Sequence, residues 1–280
     1  MERIKLAVVI PTHCDAFILK LTLGTLLRHF QQHDLNIQLG LHKSFNVGDV
    51  SKGFLDQLRR VAQVHLVDEI NWVEHHANLA RYSLMHAKNI ESLFQQIKYY
   101  RFDYVLILDN DVQVKADFLT ELVTRFPEAD LLGTYFREPE VAEEFTNGRD
   151  HETMLSIPRV APWHLLLSRR LYAKIMENPS VLYPVIIRDE GLRRERQRLH
   201  GVEKDLPIFS DTFGEVLHHC KQDWDMKLGI VSNAEFSQWA HHFFCSSLNY
   251  GRWALGEQMP AHLARIKEIY DTEFPNGLEF

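Results

Sequence analysis

Three cysteines in 280 residues are too few for a disulfide framework. Cys14, Cys220 and Cys245 form no Cys-x-x-Cys pair and their number is odd. They read as small buried hydrophobes in a reduced compartment, not as a zinc knuckle. Positive charge is also short. Lys and Arg number 31 against 38 Asp and Glu, a net charge of −7, whereas nucleic-acid binders carry a basic surplus. Nucleic acid is not an expected partner. An acidic chain with an anionic substrate must gather positive charge locally or borrow a cation. Long apolar runs are missing too. None approaches the roughly 18 residues that a membrane-spanning helix needs, and Met1–Ala7 shows no secretory apolar region. A cytoplasmic location is expected, compatible with peripheral attachment at the inner face of a membrane.

What is present is alternation. The apolar runs Lys5–Ile10, Asn36–Leu41, Val64–Val67 and Tyr104–Leu108 read as strands. Between them Asp15–Gln32, Phe54–Val61 and Ala80–Tyr99 read as helices, the last with a stripe at Leu84, Ala87, Ile90, Leu93, Phe94 and Ile97. This β-α-β-α-β-α-β order predicts an α/β fold with a mostly parallel, Rossmann-like sheet flanked by helices. In such sheets ligands gather at the carboxyl ends of the strands. Residues 1–125 are then the ligand-binding half. Residues 126–258 are more mixed. Lys115–Arg125 predicts a helix before this boundary and Ser168–Glu177 and Asp211–Lys221 predict helices after it, with Ser168 as an N-cap. Asp130–Tyr135, Arg159–Leu167 and part of Gly229–Ala240 predict strands. The charged stretch Arg188–Lys204 reads as a solvated helix or a loop, and Pro260–Phe274, within 259–280, as a closing helix. One domain is expected over 1–280.

Chemistry concentrates after Tyr104–Leu108, which runs straight into Asp109-Asn110-Asp111. Side chains two apart on a strand share a face. Two ionised carboxylates about 4 Å apart repel by about 4 kcal/mol at an effective dielectric near 20. A hard dication with oxygen ligands relieves that repulsion and can also hold a diphosphate. The bland alternative is a solvated turn, which Asp and Asn favour. Further along, Asp211 and Glu215 are spaced to share a helix face, and either carboxylate can act as a general base. Their bland reading is a helix cap and a solvated acid. His241-His242 can complete a metal shell, with His242 preferred. His218-His219 diverge by about 100° on a helix and read as structural. The Arg193–Arg196 cluster can pair with phosphates but is more often a solvated face.

The stretch AVVIPTHCDAFILKLTLGTLL resembles the opening of family 2 glycosyltransferases of the GT-A fold, and HAKNIESLF followed by FDYVLILDNDVQV resembles that family's D-x-D block. The likeness covers roughly residues 4–125 well. It implies a nucleotide-sugar donor, with UDP-linked sugars foremost, and a glycan or lipid-linked hydroxyl acceptor. It implies Mn²⁺ or Mg²⁺ on Asp111. Asp109 would lie near the ribose, and Pro11, Thr12, Asp15 and Asn110 would line the nucleotide pocket. Asp211, one hundred residues after Asp111, would be the base of an inverting transfer, Glu215 its alternative, His242 a late metal ligand, and Trp163 an acceptor platform. Where the family often has an acidic run after the second strand, this chain has His42-Lys43-Ser44-Phe45-Asn46, so the resemblance does not name the base.

Two other readings share parts of the pattern. A haloacid-dehalogenase-type phosphohydrolase also places D-x-D after an apolar strand, but normally at the start of the chain and with a later acidic pair, for which Asp223 and Asp225 are the candidates. A non-catalytic nucleotide-sugar-binding module would need the same pocket without the base. A nucleotidyltransferase would need a Gly-rich loop where this chain has Pro11-Thr12-His13-Cys14-Asp15.

Overall fold

The computed structural model describes residues 3–12, 16–42, 52–67, 81–137, 141–146, 152–243, 259–278 and 280. The first half alternates as β1 (Lys5–Thr12), α1 (Ala16–His29), β2 (Asp34–His42), α2 (Lys52–Val61), β3 (Gln63–Val67), α3 (Arg81–Ile97) and β4 (Tyr104–Leu108). Next come β5 (Val112–Val114), α4 (Phe118–Arg125), β6 (Leu131–Gly133), β7 (Glu143–Thr146), β8 (Thr153–Ser156), β9 (His164–Ser168) and α5 (Arg169–Glu177). The remainder is β10 (Val185–Ile187), α6 (Glu190–Leu199), β11 (Ile208–Ser210), α7 (Gly214–Gln222), β12 (Leu228–Ile230), α8 (Asn233–Phe236), β13 (Ala240–His242) and α9 (Met259–Glu273).

Seven strands form the main sheet in the order β12-β6-β9-β4-β1-β2-β3. β1 to β4 run parallel and β12 is parallel to β6. Only β9 is antiparallel, wedged between β4 and β6. The expected α/β class and mostly parallel sheet are what the chain forms. The inner strands are apolar on both faces because helices cover both. Leu6, Val8, Ile10, Leu106 and Leu108 pack under α1, α2 and α4. The alternate residues Ala7, Val9, Val105 and Ile107 pack under α3, α5 and α7. A four-stranded sheet, β10-β11-β8-β7, and a two-stranded one, β13-β5, complete the architecture. α9 lies on α1, with Ile266, Tyr270 and Phe274 against Ile18 and Leu21. Among the described residues, no helix is long and apolar enough to cross a membrane.

Several boundaries differ from expectation, each for a local reason. The helix expected from Lys115 starts at Phe118, because Asp117 caps it by accepting from the Thr120 amide at 3.1 Å. Ser168 caps α5 as expected, accepting from the Leu171 amide at 3.1 Å. The strand expected from Arg159 begins only at His164, after a turn at Pro162-Trp163. The helix expected from Asp211 begins at Gly214. Phe213 sits in the left-handed region at φ 66°, which breaks any helix through it. The charged stretch holds α6, whose Arg196 and Gln197 are buried. The strand expected within Gly229–Ala240 is two short strands separated by α8.

Candidate active site

The carboxyl ends of β1, β2, β4 and β6 share one sheet edge, and β9, being antiparallel, starts there. That topology brings Trp163 beside Asp109, whose amide donates to the Trp163 carbonyl at 3.1 Å. Pro11 and Thr12 close β1 at this edge and are buried. Asp15, Lys43–Asn46, Cys14 and Cys245 lie outside the described residues.

Asp109, Asn110 and Asp111 do not prolong β4. They form the turn between β4 and β5, so the carboxylates converge through that turn rather than through the two-residue strand period. Their exposures are 6%, 0% and 0%, which excludes a solvated turn. Two threonines of α1 peg this segment from below. Thr22 Oγ1 donates to the Asn110 carbonyl at 2.8 Å, and Thr25 Oγ1 accepts from the Val114 amide at 3.1 Å.

The antiparallel pairing of β13 with β5 sets His242 opposite Val112, and the Phe243 amide donates to the Asp111 carbonyl at 3.0 Å. His242 therefore faces inward while His241, on the alternate face, is exposed. His242 Nε2 lies 2.9 Å from Asp111 Oδ1 and 4.0 Å from Asp109 Oδ2. One donor atom each from Asp109, Asp111 and His242 falls within 4.8 Å of the others. An octahedral dication with bonds of about 2.1 Å sets neighbouring donors about 3.0 Å apart and opposite ones about 4.2 Å apart. Two carboxylates and an imidazole at these spacings fit such an ion.

Electrostatics agree with a site built for positive charge. Burial pulls the His242 imidazole down, but Asp111, by charge and by hydrogen bond, and then Asp109 outweigh it and raise its pKa. The proton on Nε2 thus competes with a cation for the same lone pair. Mn²⁺ affinity is expected to weaken as pH falls through this raised pKa, by up to about tenfold per pH unit below it. His242→Ala should bind more weakly and lose that slope in the range where the carboxylates stay ionised. Calorimetric titration of Mn²⁺ between pH 6 and pH 8 checks this, and an unchanged slope in the variant would remove His242 as a ligand. His164, beside His242, behaves oppositely. Burial first, then His242, hold it well below the usual range despite Asp109, and its Nε2 lies 2.9 Å from Thr134 Oγ1.

The residue that sequence reasoning missed is His86. Its Nε2 bonds Asp109 Oδ1 at 2.8 Å from α3, orienting that carboxylate. A signal existed: His86 and Asn89 are polar residues three apart on a helix otherwise read by its apolar stripe.

Trp163, expected as an acceptor platform, is 8% exposed and its ring stacks on His242 at 4.6 Å. One expectation needs correction. Asp211 and Glu215 do not share a helix face, because α7 starts after Asp211. Glu215 pairs with the buried Arg196 at 2.8 Å. Asp211 pairs with Arg159 at 2.9 Å, and its Oδ1 accepts from the Thr212 amide at 2.7 Å. Two bridges tie this pair to the acidic cluster. Thr212 Oγ1 donates to the Ser83 carbonyl, one turn before His86. Arg159 lies over the Phe136 ring, which packs edge-on against Trp163. Asp223 and Asp225 precede β12, so they sit at the opposite sheet edge, and Asp223 pairs with His219 there. They do not join Asp109 as a phosphohydrolase's second acidic pair would.

No family profile and no curated protein matches the chain. Among solved structures it is similar to S. aureus TarS 1-349, at 14% identity over 98% of this chain and 67% of that one, with a TM-score of 0.45. It is similar to the mannosyltransferase PcManGT from Pyrobaculum calidifontis, in complex with GDP-Man and Mn²⁺, at 14% identity over 62% of this chain and TM-score 0.39. The match spans about half of that protein, 47%. It is also similar to 4-diphosphocytidyl-2C-methyl-D-erythritol synthase from Anaerococcus prevotii, at 10% identity over 82% and 89% of the two chains and TM-score 0.43.

Proposed function

We propose that this chain is a metal-dependent glycosyltransferase of the GT-A type. It moves a hexosyl or N-acetylhexosaminyl group from a nucleotide-diphosphate sugar, foremost a UDP-sugar, to a hydroxyl of a glycan or lipid-linked acceptor, with inversion. The observation that carries this reading is the convergence of Asp109, Asp111 and His242 at the carboxyl edge of a parallel sheet. Residues 1–280 act as one domain in the cytoplasm.

Asp111 and His242 would hold Mn²⁺ or Mg²⁺, and Asp109 would serve the same site and the ribose. Such a dication would supply positive charge against a departing diphosphate. His86 fixes the Asp109 carboxylate. Pro11, Thr12, Asp15 and Asn110 border the nucleotide. Asp211 takes the acceptor proton, and Arg159 sets the direction of its carboxylate. Glu215, paired with Arg196, is the less suited of the two carboxylates for that role.

The test is turnover of UDP-sugars with Mn²⁺. A transferase releases UDP. A binding module saturates without releasing it, and a phosphohydrolase frees inorganic phosphate from a phosphomonoester. Asp211→Asn is expected to lower kcat at least 100-fold, about 2.7 kcal/mol, with little change in donor KM. Activity within a few-fold of the parent would remove Asp211 as the base.

A further inference from the structure

β5 and β13 hold three residues each, and among the described residues they pair only with each other. A two-stranded ribbon so short is marginal in water unless something packs on it. Its register nevertheless decides the cation site, because it sets His242 beside Asp111. α9 supplies the support. His262, Ile266, Tyr270 and Glu273 recur at spacings of four, four and three, so they form one stripe of that helix. The polar residues at the two ends of the stripe reach one strand each. His262 Nε2 bonds the Phe243 carbonyl, directly after β13, at 2.8 Å. A carbonyl only accepts, so the proton is on Nε2 and His262 is the donor. Gln113 Nε2, in the middle of β5, donates to Glu273 Oε1 at 2.8 Å. Between these bonds Ile266 and Tyr270 pack with the buried Phe243 side chain against Ile18 and Leu21 of α1. Arg28 of α1 donates to the Glu273 side chain and, at 3.0 Å, to its carbonyl, which ties the end of α9 down.

We propose that α9 clamps the β5–β13 ribbon in register and that His262 is a positioning residue for His242. The inference rests on the metal reading of Asp109, Asp111 and His242. His262 acts at one remove, through the backbone. It fixes the Phe243 carbonyl, while the Phe243 amide donates to the Asp111 carbonyl at 3.0 Å. The residue directly after His242 is thus held from both sides, by α9 and by the acidic turn. Without the His262 bond β13 frays from its Phe243 end and carries the imidazole off Asp111. β5 stays in place, since Gln113 keeps its own bond to Glu273. Groups that orient a metal ligand typically change metal affinity about 10–100-fold when removed.

The test pairs calorimetric titration of the whole chain with Mn²⁺ at pH 8 and amide hydrogen exchange of the metal-free protein in EDTA. His262→Ala is expected to weaken Mn²⁺ binding at least fivefold and to speed exchange of the Phe243 amide at least fivefold. His262→Gln places an amide donor near the position of Nε2, so it is expected to bind Mn²⁺ at least threefold more tightly than His262→Ala. Ser168→Ala is the control. It removes the N-cap of α5 at the opposite sheet edge, and so lowers stability without touching α9. Both readouts are expected to stay within twofold of the parent in that variant. The proposal is overturned if either effect of His262→Ala falls short of fivefold, or if His262→Gln recovers less than threefold. It is equally overturned if Ser168→Ala shifts either readout as far as His262→Ala does. A parent that takes up no Mn²⁺ would remove the metal reading instead. Exchange at Phe243 would then decide alone whether α9 holds the ribbon in register.

Discussion

Asp111→Asn is expected to lower Mn²⁺-dependent UDP release at least 100-fold, about 2.7 kcal/mol of transition-state stabilisation, and to abolish Mn²⁺ binding while the fold survives. Asp111 is fully buried, and its backbone carbonyl, not its side chain, carries the structural bond to Phe243. An asparagine of nearly equal volume keeps that bond and can still accept from His242 Nε2. It loses the charge that pairs with a dication. The two properties therefore separate. Removing one of two adjacent buried carboxylates relieves their repulsion in the metal-free protein but also removes the charge that pairs with protonated His242, so its melting temperature should hold above the raised His242 pKa and fall below it. Parallel thermal unfolding in EDTA and Mn²⁺ titration give the check. If the variant keeps more than about a tenth of parental activity, under 1.4 kcal/mol, the role assigned to Asp111 is wrong.

Gly40→Ala is expected to cost stability on a similar scale, through packing rather than charge. Asn89 of α3 is completely buried and its amide donates to the Gly40 carbonyl at 3.2 Å, pinning helix to strand. A Cβ at Gly40 would lie 1.9 Å from Asn89 Oδ1 and 2.9 Å from its Cγ. The amide cannot swing aside without giving up its bond inside a packed core. The expected loss is about 2–4 kcal/mol, from overpacking plus the broken hydrogen bond. A drop in melting temperature of roughly 5–15 °C corresponds to it for a chain of this size. Asn89→Ala removes the obstacle, so the double variant should be clearly less destabilised than the sum of the singles. Additive losses in a double-mutant cycle would show that the clash is not the cause.

The parallel half of the molecule was legible because its strands are long and buried on both faces. Such strands leave unbroken apolar runs, as Tyr104–Leu108 does. The acidic turn was legible from position, since Asp109 follows the most apolar strand of the chain at the edge where ligands gather. What escaped were β5, β7, β8, β10, β11 and β13, three or four residues each. Over such lengths the two-residue period has too few repeats to register, and pairing partners, not local sequence, decide the structure. Nothing in the sequence separates His242 from His241; the β5–β13 register does, turning His242 toward Asp111 and His241 outward. The surroundings of Trp163 and Glu215 were not legible for one cause. A buried aromatic or acid advertises its chemistry in the sequence but not its neighbour, and the neighbours here are His242 and Arg196. His86 stayed hidden because a helix read for its apolar stripe conceals the polar residues that flank it.

The β5–β13 pairing has a consequence for how the protein comes into being. Asp111 is made early and His242 late, and only a chain extended through β13 can join them. A polypeptide halted near the end of β12 could already stack its main sheet, yet its acidic turn would lack the imidazole that closes over it. Cation capture would then tighten once β13 is in place, and a fragment ending before His241 should bind manganese as weakly as His242→Ala, however well its first half had folded.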